Sequence, residues 1–481
     1  MRCFFGRAMA ALALLVTGCG GGPDAAGGVP DADRAFGAEQ HPRLLAEFGG
    51  AYGGGQARYV QAVGARMAAA AGLDGECVFT LVNSDVVNAF AVPGCYIYVT
   101  RGLLAIVGSE AELASVLGHE LGHVVAAHSR RQQRRSLWRT IGVAAVSLTG
   151  SERLTRLAGQ AAQYFTLRYS RGQEYESDTL GLRYLRDAGY DPYAEADMLG
   201  ALGRQEGFMV ATGGRDAARS IPEWARSHPL TESRIARARA AATETGLADD
   251  ELPEGEGAYL DAVDGLLFGD DPEQGFVIGR RFEHPLLRIG FEAPPGFQLT
   301  NSPQSILLSG PGGVRGEFAG GALAEGGLEA HAEAIALAIT RDAPTEVAVA
   351  ERRVIGGLPA VVLRLRVATR NGTASLAIAA YDMGGGQAYH FVVVAPSDAG
   401  AAVTEALFAS FRRLGAEQAA RLRPRQVRVV TVRPGDSPAT VAGRIADDHP
   451  RALFAALNGR EVDQPLRPGE RVKIVTDAAR R

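Results

Sequence analysis

Lysine is almost absent: Lys473 is the single Lys among 50 basic residues, the rest being Arg. With so much Gly and Ala beside it, this bias reads as GC-rich coding and carries no functional weight. No segment reaches the roughly 18 consecutive apolar residues that a membrane-spanning helix needs, so a helical bundle within the bilayer is excluded. Acidic residues number 54 and the formal charge is −4. There is therefore no basic excess to neutralise phosphates, and nucleic acid is excluded as a partner. Nine His are too few for a His-rich metal store, and four Cys too few for a disulfide scaffold. What remains is ordinary globular composition, 46% hydrophobic and 22% charged, over 481 residues. At ~150 residues per domain, that length suggests about three domains.

Residues 1–18 have a basic start (Arg2, Arg7), an apolar run from Ala8 to Val16, and small residues before Cys19, the layout of a signal peptide. Val16-Thr17-Gly18-Cys19 resembles the lipobox of bacterial lipoproteins, in which the Cys is acylated and anchors the chain to a membrane. Gly20 lacks the acidic signal for inner-membrane retention, so the outer membrane, facing the periplasm, is the expected location. An ordinary cleaved signal with a chance Cys is the alternative. Residues 19–40 are expected to form a flexible tether, richest in Gly, Ala and Pro up to Pro30. Cys77 and Cys95 stand at the starts of strand-like runs, Val78–Asn83 and Tyr96–Thr100. They can pair if those strands lie side by side in parallel; two buried thiols are the alternative.

Texture then divides the chain. Residues 41–248 are mostly helical with one strand-rich patch at 78–100, and an acidic, Gly- and Pro-containing stretch, 249–257, reads as a linker. Residues 258–415 alternate like an α+β domain: strands are expected near Arg288–Glu292, Glu346–Val354, Ala360–Thr369, Ser375–Tyr381 and Ala388–Val394, with helices near Leu328–Ile339 and Ala401–Arg412. Its His284, His331 and His390 are scattered singly and read as structural. Residues 426–476 form a third, small unit of strand, helix, helix, strand.

The chemistry lies in the first unit. His119-Glu120-Leu121-Gly122-His123 falls within an amphipathic helix that opens with Ser109 and Glu112, spaced as a capping box. At 3.6 residues per turn the two His project from one face and can share a zinc ion. Glu120, rotated about a hundred degrees away, suits proton transfer better than ligation. A third ligand must come from elsewhere. Glu174, Glu176 and Asp178 on a second acidic helix are the candidates, with Glu174 and Asp178 on one face; if Glu174 binds metal, Asp178 can hydrogen-bond a ligating His.

Four motifs in order carry a resemblance: Asn88-Ala89-Phe90-Ala91-Val92-Pro93-Gly94, His119 to His123, Ser170-Arg171 before Glu174 and Asp178, and Ser227-His228-Pro229-Leu230 before Arg234. Residues 41–243 resemble the zinc metallopeptidases of the HtpX, BepA, Oma-type and Ste-type (CAAX-processing) family. The resemblance implies a mostly α, gluzincin-like fold with a small sheet, one Zn²⁺ per chain on His119, His123 and Glu174, and Glu120 as the catalytic base. Ser177 stands where the family usually has Ala, and Cys95 replaces the second Gly of a common Pro-Gly-Gly, which fits a disulfide with Cys77. His228 is either a fourth ligand that holds a resting state or a brace for the following helix. Val86–Val92 resembles the first strand of a hairpin at a sheet edge, so Asn88, Ala89, Phe90 and Ala91 are candidates to pair with an extended peptide.

The carboxyl-terminal unit resembles a LysM module, implying peptidoglycan as a partner, and the middle unit is faintly similar to PsbP and DcrB type α/β sandwiches. Arg130, Arg131, Arg134, Arg135 and Arg139 form a basic run read as a solvated helix end, with a lid or an anionic lipid contact as alternatives. The functional expectation is a lipid-anchored envelope metalloendopeptidase acting on misfolded or misassembled proteins. The alternative is an assembly factor or wall-binding scaffold with a self-inhibited protease head.

Overall fold

A computed structural model describes residues 28–129, 169–212, 228, 232–340, 345–369, 372–396 and 401–478. The signal peptide, Cys19 and the basic run from Arg130 to Arg139 lie outside the described residues. The last ten residues of the expected tether, 31–40, belong instead to helix α1 (Asp31–Glu47). Pro30 closes the extended segment, since its own conformation is non-helical and Asp31 and Asp33 favour a helix N-terminus.

The first unit is a helical layer around one small sheet. Helix α2 (Gly54–Ala70) leads to strands β1 (Val78–Val82), β2 (Ala89–Val92) and β3 (Tyr96–Thr100), arranged β1-β3-β2. β1 runs parallel to β3 and β2 antiparallel to it, which leaves β2 at the edge. Cys77 and Cys95 are joined as a disulfide beside the parallel β1–β3 pair. Helices α3 (Arg101–Ile106), α4 (Glu110–Val125), α5 (Arg171–Asp187), α6 (Ala194–Thr212) and α7 (Glu232–Glu244) complete the unit. Its core draws Val60, Met67, Ile97, Leu113, Leu117, Tyr184 and Leu199 into one cluster.

The stretch 249–257 departs from the linker expectation. The Ala111 N–H donates to the Glu254 carbonyl and the Asp250 N–H to Asp191. Helix α8 (Glu256–Val263) then buries Tyr259, Val263 and Leu266 in the same core as the first unit. The α+β unit thus starts later than residue 258. Charge and Pro-Gly content mark this segment as irregular, but irregular backbone can still be pinned once its N–H and C=O groups find partners.

Strand β4 (Leu267–Phe268) precedes the middle unit. A four-stranded sheet holds β5 (Phe276–Ile278), β6 (Arg281–His284), β7 (Ile289–Glu292) and, from later in the chain, residues 412–413 paired to β7. A seven-stranded antiparallel sheet holds β8 (Gln298–Asn301), β9 (Ile306–Ser309), β10 (Arg315–Ala322), β11 (Thr345–Ile355), β12 (Leu358–Thr369), β13 (Gly372–Gly384) and β14 (Gln387–Ala395), in the order β11-β12-β13-β14-β10-β9-β8. Helix α9 (Gly327–Thr340) covers one face with Ile339 against Leu363 and Ile378; helix α10 (Ala401–Ala409) and the Phe291 side cover the other. Burial of both faces explains the apolar stretches inside β12, β13 and β14, at 360–363, 376–380 and 391–395.

After β15 (Arg412–Arg413) and helix α11 (Ala416–Arg421), the last unit comprises β16 (Arg425–Thr431), α12 (Pro438–Ala442), α13 (Pro450–Leu457) and β17 (Arg471–Asp477). β16 pairs antiparallel with both β17 and β4, so this unit is stitched to the chain 159 residues earlier in the register Gln426↔Leu267. The lone lysine completes the seam: buried Lys473 donates through Nζ to the carbonyls of Ala105 (2.8 Å) and Val107 (2.6 Å), at the carboxyl end of α3.

Candidate metal centre

Helix α4 starts where Ser109 Oγ accepts from the Glu112 N–H. The reciprocal half of the expected capping box is displaced by one residue, since Glu112 accepts from the Gly108 N–H at 2.8 Å. α5 has the complete box, with Ser170 and Gln173 bonded both ways. The two helices cross at small residues. A Cβ on Gly181 would stand 3.0 Å from the His119 nitrogen, and one on Gly122 2.9 Å from the Ser177 carbonyl. This close approach sets Glu174 opposite the two His, and the small Ser177 at the crossing preserves it.

His119, His123, Glu174 and His228 each offer a donor atom, and these atoms all lie within 4.8 Å of one another. The Nε2 atoms of His119 and His123 are 3.0 Å apart, Glu174 carboxylate oxygens stand 3.7 and 3.6 Å from them, and His228 Nδ1 is 3.0 Å from Glu174. Those separations bracket the roughly 3.3 Å edge of a zinc tetrahedron with ~2.0–2.1 Å bonds.

Hydrogen bonding settles the tautomers. His119 Nδ1 lies 2.9 Å from Asp178 Oδ1, an acceptor, so this nitrogen carries the proton and Nε2 presents a lone pair. His128 Nε2 lies 3.0 Å from Glu176, so His128 donates there and accepts through Nδ1 from His123 Nδ1–H at 2.8 Å. His123 Nε2 therefore also presents a lone pair, and burial, with His119, His228 and His128 nearby, holds that ring well below its ordinary pKa. Two lone pairs facing each other at 3.0 Å in a dry site repel unless a cation lies between them. Two imidazoles plus a carboxylate form a donor set suited to zinc.

Two further carboxylates are held apart in character. Burial pushes Glu120 up to about 7, aided by Glu174 and opposed by His119 and the Ala91 N–H. Its Oε1 has no hydrogen-bond partner among the described residues, and His228 Nε2 is 3.6 Å away. Burial also acts on Asp178, but the bonds from His119 and Arg234 outweigh it and keep the group ionised. Arg234 reaches Asp178 at 2.6 Å and Glu174 at 3.1 Å, tying both carboxylates to α7.

The candidates from sequence are thus brought together, apart from Glu176, which serves His128. Asn88, Ala89, Phe90 and Ala91 lie on or beside the edge strand next to Glu120. Sequence reasoning missed His128, Tyr169 and Glu195. His128 comes five residues after His123, beyond the helix, and is swung back by Ala127 in the left-handed region (φ 53°); no helical spacing rule could find it. The Tyr169 ring stacks on His123 with centroids 3.8 Å apart. Burial pushes Glu195 well above the ordinary carboxylate range, with Asp178 adding to the shift.

Residues 55–242 match the model of peptidase family M48. A beta-barrel assembly-enhancing protease of Yersinia pestis is 33% identical over 176 residues, covering 34% of each chain. A mitochondrial metalloendopeptidase OMA1 of Arabidopsis thaliana is 36% identical over 127 residues, covering 26% of each. The chain spans about a third or less of the length of these relatives. The solution structure of cyanobacterial PsbP from Synechocystis matches 29% of this chain and 98% of that one with a TM-score of 0.24 and 13% identity, too loose to argue from. Residues 55–242, with their paired imidazoles and facing carboxylate, are thus similar to peptidase family M48.

Proposed function

We propose that the chain is a zinc metalloendopeptidase of the bacterial cell envelope, held at the outer membrane by acylated Cys19, that cuts misfolded or misassembled proteins. The observation that carries the reading is the convergence of the His119 and His123 Nε2 atoms, 3.0 Å apart, with the Glu174 carboxylate facing them and the buried Glu120 carboxylate alongside. His119, His123 and Glu174 would hold the ion. Bound zinc would supply Lewis acidity to water and to the scissile carbonyl. Glu120 takes the proton from the attacking water and returns it to the leaving amine, and a group with pKa near 7 suits both directions. Asp178 fixes the His119 ring and His128 fixes the His123 ring, so neither imidazole has to reorient. Among the described residues β2 lies at the edge of its sheet, and such an edge can grip an extended peptide through main-chain bonds with little sequence choice, which favours unfolded segments. The envelope setting draws on the lipobox-like Val16-Thr17-Gly18-Cys19 and on relatives named for beta-barrel assembly.

Casein digestion with and without a chelator, beside metal analysis, tests the reading. The wild type should carry about one zinc and cleave; Glu120→Gln should keep the zinc and lose about 10³-fold in rate. Undiminished cleavage by that variant would overturn it. A second reading has its own observation: His228 Nδ1 sits 3.2 Å from His119 Nε2, within the ligand set. A head shut by His228, serving assembly or wall binding through the LysM-like unit, predicts that His228→Ala releases activity from a silent wild type.

A further inference from the structure

A cavity of about 200 Å³ opens between the edge strand and the carboxyl end of α4. Ala91 and Pro93 line it on one side, His123 and Val125 on another, Leu73 at the base, and Val29 closes it from the amino-terminal segment. The cavity therefore touches both a candidate metal ligand and the strand that would align a peptide. Val29, Leu73, Val92 and Val125 give it aliphatic walls, while Asp33, His123 and Ser129 add polar groups in about equal measure; a cavity of ~150 Å³ already admits a benzene-sized group.

The amino-terminal wall is fastened in place. The Val29 N–H and the Arg34 guanidinium both donate to Glu76, at 3.0 and 2.6 Å. Glu76 immediately precedes Cys77, which the disulfide ties to Cys95 at the end of the β2–β3 hairpin. Two glycines permit the contact: a Cβ on Gly94 would lie 2.5 Å from the Asp33 carbonyl, and one on Gly37 2.5 Å from the Pro93 carbonyl. Residues 28–37 are thus seated on the hairpin turn beside the cleft.

The geometry points to a substrate subsite here that accepts one apolar side chain of leucine to phenylalanine size next to the scissile bond, with the amino-terminal segment as its outer wall. This rests on the metallopeptidase reading above and adds a specificity to it. Main-chain pairing along β2 supplies grip without selection; the cavity selects. Filling it selects for smaller residues, and releasing its wall relaxes the choice.

The test is a set of peptides varied at one position among Ala, Leu, Phe, Trp and Asp, read by mass spectrometry of cleavage and by fluorescence anisotropy of binding to zinc-loaded Glu120→Gln. Leu and Phe peptides should be preferred over Ala and Asp by about 10- to 100-fold in kcat/KM at one position, and in affinity on Glu120→Gln. Val125→Phe should shift the preference to Ala. Glu76→Ala should leave zinc content unchanged and narrow the Leu-to-Trp ratio. A wild type that cleaves with no apolar preference, or a Val125→Phe profile identical to it, overturns the subsite while leaving the peptidase standing. Absence of any hydrolysis removes the peptidase reading, and binding to Glu120→Gln then decides the subsite alone.

Discussion

The first and middle units solve burial in opposite ways. Around α4 and α5 the interior holds His119, Glu120, His123, His128, Glu174, Glu195 and Arg234, every one of them buried. In the middle unit the same depth is filled by Phe291, Phe391, Phe408, Phe411 and Tyr381, with edge and tilted ring contacts between 4.4 and 6.3 Å. Its described buried polar groups are fewer: His331 of α9 stands with Nε2 3.3 Å from Nδ1 of His390 on β14, and Glu283 accepts from Arg412 and Gln418. The difference teaches where the chemistry costs stability. A packed aromatic face is self-sufficient, whereas a buried polar network is stable only while every partner, including a cation, is present.

Removing a partner should break the two units unequally. Arg234→Met strips the cation from Asp178 and Glu174, and an uncompensated buried carboxylate costs ~3–5 kcal/mol. Urea unfolding should show that loss, with zinc affinity falling alongside; a loss below ~1 kcal/mol would contradict the network argument.

The seam between the last unit and α3 offers a smaller effect. Lys473→Met leaves the carbonyls of Ala105 and Val107 without their donor, for about 1–3 kcal/mol. Its pH signature is distinct. Burial lowers the ammonium to about 7 in the fold, against an ordinary 10.5. Between those values the unfolded chain binds more protons, so this group makes stability rise with pH there. Glu112 works in the opposite sense below: burial raises it to about 7, so its contribution falls as pH climbs from 4.5. Stability measured from pH 7 to 10 should rise in the wild type and flatten in Lys473→Met; equal slopes would rule out the lysine as the cause.

The smallest effect belongs to the middle unit's surface. Arg353 bridges Glu405 and Glu351, but all three side chains keep about a third or more of their exposure. Arg353→Ala should cost under ~1 kcal/mol in the same urea assay. A cost equal to that of Arg234→Met would erase the contrast between the units.

Much of this arrangement was legible in the sequence, for reasons particular to each element. The strands at 358–369, 372–384 and 387–395 were visible because two-sided burial writes short apolar stretches rich in β-branched residues into their middles, as at 360–363 and 391–395. The α4 pair was visible because helical period puts His119 and His123 on one face. Glu174 was not decided by spacing, since Glu174, Glu176 and Asp178 all sit on one acidic helix; the Gly118, Gly122, Ser177 and Gly181 crossing decides which of them faces the histidines. The linker at 249–257 and the tether to residue 40 were misjudged for a shared reason: composition reports the lack of a core-forming pattern, yet both segments dock on a core made by others.

By itself, then, the sequence determined the local chemistry: which residues form the α4 imidazole pair, which segments are strands, and which motifs announce a peptidase. Tertiary structure alone decided the tautomers of His119 and His123, the return of His128, the bridging of Glu174 and Asp178 by Arg234, and the burial of Lys473 against α3. The physical reason is range. Periodicity and capping act over one or two turns, whereas the pairing of lone pairs with donors, and of carboxylates with cations, joins residues 50 or more positions apart, and only packing can choose among the partners.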